Sequence, residues 1–323
     1  MQILVISGFL GAGKTTFIKE LVKRTDAHPV IMENEYGDNN IDSLDLKQNT
    51  AQEDDIKIME FMEGCVCCTM KDSFVNSVLA IYSSLSPEYL IIEPTGVGRL
   101  SNILNNLKPI LNKAISLLRP IVVLSPDNYY QNMKKWPELY KDQIENAQIV
   151  VFSKCENTPS EVLEAITKEV NSINPKAQVV PMHYSKMDSM WWDQLLTIED
   201  KDEAASEDAE SSNGNDSKEK NFSNSPLKEA EDFSQVSIEV GGLHNQAELI
   251  QFLEDCLRGE FGNVARAKGN LWVDNEFVRF DLADRMYVVS GSPENKCQCV
   301  VIGQHLDEKK IRKRLGRPNY SFI

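Results

Sequence analysis

The sequence predicts an α/β fold with a mainly parallel sheet, followed by a small C-terminal α+β domain. The first observation is an apolar run at residues 1–6, which leads through a glycine loop at 8–15 into a helical pattern. The second is the repeated alternation of short apolar runs with amphipathic stretches up to residue 198. Such alternation is typical of a parallel sheet covered by helices on both faces. The third is an acidic stretch at residues 199–232, after which short strands resume.

The first 198 residues contain the elements of the predicted parallel sheet. Apolar runs that suit further strands lie at residues 30–32, 56–59, 89–92, 121–124, 149–152 and 179–180. Apolar residues at helical spacing predict helices at residues 16–22, 73–85, 103–111 and 160–173. We therefore expect one domain over residues 1–198.

Residues 199–232 interrupt this pattern. They include twelve acidic and four basic residues and almost no apolar side chains. Because such a segment cannot bury enough apolar surface to fold alone, we predict an acidic flexible linker. The alternative is an acidic segment that attracts metal ions or a partner. Residues 233–323 then form the predicted α+β domain. Its strands are expected at 236–240, 264–271, 277–282, 286–289 and 299–302, and its helices at 247–257 and 307–315.

Charge and cysteine usage narrow the class of protein. The net charge of −15 over 323 residues argues against nucleic acid or an anionic membrane as the main partner. No apolar run reaches the length that spans a bilayer. The chain has seven cysteines, three of them within four positions, which is typical of thiols in a reducing compartment and not of a disulfide framework. We therefore expect a soluble cytoplasmic protein.

Residues 8–15 read Gly-Phe-Leu-Gly-Ala-Gly-Lys-Thr, a complete phosphate-binding loop (P-loop) between a strand and a helix. In such a loop, backbone N–H groups surround a phosphate and the positive end of the helix dipole faces it. We expect Lys14 to reach the terminal phosphates and the Thr15 hydroxyl to bind Mg²⁺. The nucleotide-binding residues predicted in this segment are Gly8, Gly11, Ala12, Gly13, Lys14, Thr15 and Thr16.

A second segment suits the same nucleotide. Glu93 ends an apolar strand, and Gly96 follows three positions later. An acid at this place helps to hold Mg²⁺, and a glycine just beyond it donates its N–H to the γ-phosphate in P-loop proteins. We predict both roles here, because the two elements depend on each other.

A third segment, Gly64-Cys65-Val66-Cys67-Cys68, predicts a metal site. Three thiolates at this density suit a divalent ion such as Zn²⁺, and three protein ligands leave a fourth position open for exchange. A redox-sensing thiol cluster and inert buried cysteines are the alternatives. Residues 33–38 follow a strand and carry three carboxylates, which indicates either an exposed acidic turn or a segment that moves between nucleotide and metal.

Together these segments resemble the CobW family of P-loop GTPases, whose wider group includes nucleotide-driven helpers of urease and hydrogenase maturation. The resemblance continues beyond the linker. It is carried there by Arg266-Ala267-Lys268-Gly269 before Leu271-Trp272, and by Val301-Ile302-Gly303 before Leu306-Asp307. It covers nearly the whole chain outside residues 199–232, and the cysteine motif is its most specific part.

The resemblance implies GTP hydrolysis coupled to insertion or delivery of a metal. The residues implied for the phosphates, Mg²⁺ and the second switch are Lys14, Thr15, Glu93 and Gly96. The residues implied for the transition metal are Cys65, Cys67 and Cys68, with Glu33 and Asp38 as oxygen ligands in the first switch. The implied cofactors are GTP or GDP, Mg²⁺ and a transition metal such as zinc or cobalt. The implied partner is a client metalloprotein or a cofactor-maturation protein, and a homodimer is left open.

The guanine-reading segment departs from the family pattern. Relatives usually have Asn-Lys-x-Asp, or Thr for Asn, whereas this chain has Ser153-Lys154-Cys155-Glu156. Lys154 can still cover the face of the base, and Glu156 can still accept from guanine on a longer side chain. Ser153 is a smaller orienting group, so a looser preference for GTP over ATP is expected. His183, at a predicted strand end, is interpreted as a satisfied surface histidine, with contact to nucleotide or metal as the alternative.

Two other classes of function remain open from the sequence. A P-loop ATPase or small-molecule kinase would prefer ATP and use its cysteines structurally. A nucleotide-gated metal or redox sensor would bind metal without turnover.

Overall fold

The computed structural model describes residues 1–36, 57–63, 70–197, 233–283, 286–292 and 296–316. The predicted linker at residues 199–232 lies outside them, so its bounds stay a prediction.

A parallel sheet forms the centre of the N-terminal part. Its strands are β1 (Gln2–Ser7), β2 (Val30–Tyr36), β3 (Lys57–Glu63), β4 (Tyr89–Glu93), β5 (Ser116–Leu117), β6 (Ile121–Leu124), β7 (Ile149–Phe152) and β8 (Gln178–His183). They are ordered β3-β2-β4-β1-β6-β7-β8, with β5 beside β1, and the described pairs are all parallel. The predicted parallel sheet is confirmed.

Helices connect these strands. They are α1 (Lys14–Arg24), α2 (Met70–Leu85), α3 (Leu100–Leu107), α4 (Tyr129–Lys135), α5 (Pro137–Glu145), α6 (Ser160–Ile173) and α7 (Ser189–Gln194). The helix predicted at 103–111 ends earlier, at Leu107, and a 3₁₀ turn follows at Lys108–Ile110. Pro109 has no N–H for the α-helical ladder, which accounts for this end.

Helices cover both faces of the sheet. Ile3 and Val5 of β1 belong to one apolar cluster, whereas Leu4 and Ile6 belong to the other. All four are fully buried, as expected when successive side chains of a strand point to opposite faces. Because both faces are packed, polar groups of this sheet reach solvent mainly at the strand ends, where ligands of such sheets bind.

In its described residues, the C-terminal domain is a mainly antiparallel sheet with two helices. Its strands are β9 (Phe233–Ile238), β10 (Gly242–Leu243), β11 (Asn263–Val273), β12 (Glu276–Ala283), β13 (Met286–Gly291) and β14 (Gln298–Gln304), and its helices are α8 (Gln246–Arg258) and α9 (Glu308–Leu315). The order is β13-β12-β11-β14-β9, with β10 parallel to β11. The predicted α+β domain is therefore confirmed.

The two faces of the C-terminal sheet have different neighbours. Ala267 and Leu271 of β11 share an apolar core with Phe252 of α8. Ala265 and Ile302, in contrast, join the apolar core of the N-terminal domain. The C-terminal domain is thus packed against the N-terminal one.

Among the described residues, no helix combines the length and the apolar character needed to cross a membrane.

Candidate functional site

The P-loop connects the end of β1 to the start of α1. Gly8 has a φ of 145°, and Gly13, at the N-cap of α1, has a φ of 90°. Residues with a side chain rarely adopt these conformations. A Cβ atom at Gly8 would also overlap the carbonyl oxygen of Val123 on β6. The loop is thus closed against the sheet and opens at the helix N-terminus, a geometry suited to a phosphate.

Thr15 and Glu93 form the centre of the site. The Thr15 hydroxyl donates to Glu93, at 2.9 Å from Oε1 and 3.0 Å from Oε2. Glu93 is the last residue of β4, which pairs with β1 beside the P-loop. Hydroxyl and carboxylate oxygens are hard ligands of the kind Mg²⁺ prefers, so the pair fits this ion. Lys14 is buried, and its Nζ lies 3.4 Å from the carbonyl oxygen of Phe9 in the same loop.

A cavity of about 310 Å³ opens at the P-loop, and we call it the P-loop cavity. The predicted site residues in its lining are Gly11, Gly13, Lys14, Thr15, Thr16, Glu33, Glu93, Gly96 and Lys154. Gly8, Ala12 and Ser153 are buried and support the loop. The C-terminal domain adds Arg266, Lys268 and Asp281 to the same lining. Sequence reasoning gave these three no role in the site, although residues 266–269 contributed to the family resemblance.

The loop after β4 packs tightly on the P-loop. A Cβ atom at Gly96 would overlap the backbone nitrogen of Leu10 and lie 2.7 Å from its Cα. Gln143 of α5, fully buried, holds this loop from another side, since its Nε2 donates to the carbonyl oxygen of Gly98 at 3.2 Å. The predicted Gly96 therefore contacts the P-loop. Gln143 was missed because no local motif marks it.

The predicted base-reading segment lies next to the P-loop. The Ser153 hydroxyl donates to the carbonyl oxygen of Ala12, which ties the end of β7 to the P-loop. Lys154 has a φ of 51° and lines the P-loop cavity. Glu156 is largely exposed, and its Oε1 lies 3.4 Å from Nε2 of His183. His183 is thereby placed beside a predicted nucleotide contact, and its Nδ1 also lies 2.7 Å from Ser185 Oγ.

The predicted transition-metal site is described only at Glu33. Asp38, Cys65, Cys67 and Cys68 lie outside the described residues. Glu33 is 4% exposed, lines the P-loop cavity and pairs in register with Glu93. Within the described parts of the chain, no group of three or more His, Cys, Asp or Glu residues is placed to hold a metal ion. The ligand set therefore stays a prediction.

The other cysteines are buried or half-buried thiols. Burial raises the pKa of Cys256 to about 12 and that of Cys297 to about 11. Burial also raises the pKa of the fully buried Cys299 and that of Cys155. Because the thiolate is the nucleophile and the metal ligand, these four side chains are held in the unreactive form at neutral pH.

Two family models match the chain. The model described as CobW/HypB/UreG, nucleotide-binding domain, matches residues 2–181. The model described as the cobalamin synthesis protein cobW C-terminal domain matches residues 233–317. The family expected from the motifs is thereby confirmed in both parts of the chain.

Named relatives agree with these models. The zinc chaperone YeiR of Escherichia coli (strain K12) is 28% identical over 187 residues, which are 57% of this chain and 56% of YeiR. The zinc chaperone CobW of a Sinorhizobium species is 28% identical over 195 residues, 52% of this chain and 54% of that protein. The chain thus spans about half the length of these relatives. Among solved structures, the zinc-bound YjiA GTPase from E. coli has 18% sequence identity and a TM-score of 0.42, with 97% of each chain covered. From the two family models, the chain belongs to the CobW family of P-loop nucleotide-binding proteins.

Proposed function

We propose that this protein hydrolyses GTP and couples its nucleotide state to the binding and delivery of a divalent metal ion. The observation that carries the proposal is the register of three neighbouring strands. Glu93 of β4 pairs with Glu33 of β2, which pairs with Glu60 of β3. β3 continues to Glu63, two positions before Cys65 in the sequence. This order supports a connection between the P-loop and the cysteine motif along one edge of the sheet.

The hydrolysis would use the P-loop and the segment after β4. Thr15 and Glu93 would hold Mg²⁺, which neutralises charge on the β- and γ-phosphates. Lys14 would contact those phosphates, and the N–H of Gly96 would donate to the γ-phosphate. A water attacks the γ-phosphorus, and the bond to the β–γ bridging oxygen breaks. The bond's electron pair leaves with GDP, and phosphate and a proton are released.

Guanine recognition would depend on Lys154 and Glu156. The Glu156 carboxylate accepts from the N1–H and the exocyclic amine of guanine, neither of which adenine presents as a donor at the same place. The contact between Ser153 and Ala12 supports a base site held against the P-loop.

Zinc is the metal that we propose as cargo, bound by Cys65, Cys67 and Cys68 with Glu33 or Asp38 as oxygen ligands. Thiolates suit Zn²⁺, and the relatives YeiR and CobW are named zinc chaperones. Cobalt is the other candidate. A client metalloprotein or cofactor-maturation protein in the cytoplasm would receive the ion, and residues 199–232 would link the two domains.

Calorimetric titration of Zn²⁺ tests the proposal. Zinc affinity should differ by about tenfold or more among the nucleotide-free protein, the GDP complex and the complex with a non-hydrolysable GTP analogue, the size of a common allosteric coupling. Identical affinities in the three states would contradict metal delivery. Zinc binding without GTP turnover would favour a sensor, and tighter competition by ATP than by GTP would favour an ATPase or kinase.

Two variants separate the activities. Lys14→Ala should abolish GTP hydrolysis and leave zinc affinity of the nucleotide-free protein unchanged. A triple replacement of Cys65, Cys67 and Cys68 by serine should remove zinc binding and leave nucleotide binding intact.

A further inference from the structure

Two cations of the C-terminal domain lie in the P-loop cavity. Arg266 and Lys268 of β11 line it together with Thr15, Glu93 and Gly96. These three residues belong to the Mg²⁺ and γ-phosphate side of the proposed site. Of the predicted base-reading residues, Lys154 also lines the cavity, whereas Glu156 does not. The cations of the second domain therefore share one cavity with the residues proposed for Mg²⁺ and the γ-phosphate.

The alternation along β11 explains why both side chains face the cavity. Ala267, between them, is fully buried in the core of the C-terminal domain. Because successive residues of a strand point to opposite faces, Arg266 and Lys268 share the other face. That face is the one turned to the N-terminal domain, since Ile302 of the neighbouring strand β14 packs into the N-terminal core.

Packing at the seam between the domains fixes this arrangement. The centre of the Trp136 ring lies 4.9 Å from the ring centre of Phe233 on β9. It lies 6.2 Å from the ring centre of Phe9 in the P-loop. Lys135 donates from Nζ to the carbonyl oxygen of Val264 on β11, at 3.1 Å. The P-loop and the C-terminal sheet are thus joined through a continuous set of contacts.

The side chains themselves are oriented. Arg266 forms a fork with Asp281, with 3.0 Å between Nη2 and Oδ2 and 3.3 Å between Nε and Oδ1, which fixes the plane of the guanidinium. Lys268 is 5% exposed, and buried charges in proteins are usually paired. The acidic side chains in the lining of the same cavity are Glu33, Glu93 and Asp281. A bound triphosphate would add further negative charge to the same space.

We propose that Arg266 and Lys268 bind the γ-phosphate, so that the C-terminal domain completes the nucleotide site and distinguishes the triphosphate from the diphosphate. The inference rests on the nucleotide-binding part of the proposed function. It gives the C-terminal domain a direct role in reading the nucleotide state, and it brings a positive charge close to the phosphate that is transferred.

Nucleotide affinities of the full chain with Mg²⁺ and without zinc test this inference. Arg266→Ala and Lys268→Ala should each weaken binding of a non-hydrolysable GTP analogue by about tenfold or more, the effect of losing a charge-assisted hydrogen bond. GDP affinity should change less than about twofold, because GDP lacks the γ-phosphate. Equal losses for both nucleotides, or no loss for either, would overturn the inference.

Matched variants exclude a general loss of structure. Lys310→Ala removes another cation of the C-terminal domain, which pairs with Glu260 at 3.0 Å and does not line the cavity, and should leave both affinities unchanged. Lys268→Arg and Arg266→Lys keep the charge and should retain most of the preference for the analogue. If either alanine variant does not fold, Lys268→Met or Arg266→Gln replaces it in the same comparison. The outcome is independent of zinc, so failure of the inference and failure of metal delivery are separate results.

Discussion

The Thr15 hydroxyl donates to both carboxylate oxygens of Glu93, although the two residues are 78 positions apart in the chain. This contact joins the P-loop to the end of β4. A cation that binds both groups would replace one hydrogen bond by two metal–oxygen contacts. The two oxygen donors thus lie side by side, as a shared Mg²⁺ ion of the proposed site requires.

Glu93→Gln should lower the rate of GTP hydrolysis by about 100-fold and raise the Mg²⁺ concentration needed for half-maximal rate. The amide keeps the shape of the side chain but loses the negative charge, so Mg²⁺ is held less firmly beside the phosphates. Loss of one preorganised electrostatic contribution of this kind has an effect of this size. Hydrolysis measured across a Mg²⁺ titration checks both effects. Glu164→Gln, at an exposed position of α6, is the control and should behave as the parent. An unchanged Mg²⁺ dependence in Glu93→Gln would show that Glu93 does not serve the ion.

Gly96→Ala should weaken binding of the GTP analogue and slow hydrolysis. The added methyl group would overlap the Leu10 nitrogen, and backbone atoms on both sides must then move apart. Gly291→Ala is the matched control, because a Cβ atom there has no neighbour within 4 Å. Calorimetry with the analogue and a turnover assay check the two variants. Equal behaviour of both would mean that the approach between the two loops is not needed for nucleotide binding.

Glu156→Ala should lower GTP affinity by about tenfold and leave ATP affinity nearly unchanged. A charge-assisted hydrogen bond to guanine is lost, whereas adenine offers no donor there. Competition of a labelled GTP analogue by GTP and by ATP measures the ratio. Glu161→Ala, at an exposed position at the start of α6, removes a carboxylate outside the predicted base-reading segment and serves as control. A ratio that stays constant would assign guanine selection to other residues.

The parts of the site that the sequence predicted are those with a local motif. The P-loop carries its own glycines and lysine, and Glu93 follows a recognisable apolar strand. Gln143 and the helix α5 have no such signal. Pro137 after Trp136 suggests the end of a helix. In the structure it occupies the first turn of α5, where a backbone N–H would have no intrahelical partner.

The contribution of Arg266 and Lys268 could be predicted only in part. Their spacing at i and i+2 on an apolar strand indicates that both point to one face. What that face meets depends on how two domains pack, and no local periodicity encodes this contact. The sequence therefore identified the strand and its residues but not their place in the cavity.

Alkaline pH should destabilise the C-terminal domain through its buried thiols. Burial raises the pKa of Cys256 to about 12, above the value of about 8.5 of an unfolded chain. The folded state favours the neutral thiol. The resulting stabilisation is complete at a pH below the pKa of the unfolded chain, and it is lost as pH rises towards 12. Between pH 9 and 11, the free energy of unfolding should fall as pH rises. The slope for the parent should be steeper than the slope for Cys256→Ala by about 1.4 kcal/mol per pH unit. Urea unfolding at pH 8, 9, 10 and 11 measures the slopes. Both proteins keep every tyrosine and lysine, so parallel slopes would show that Cys256 ionises as easily in the folded domain as in the unfolded chain.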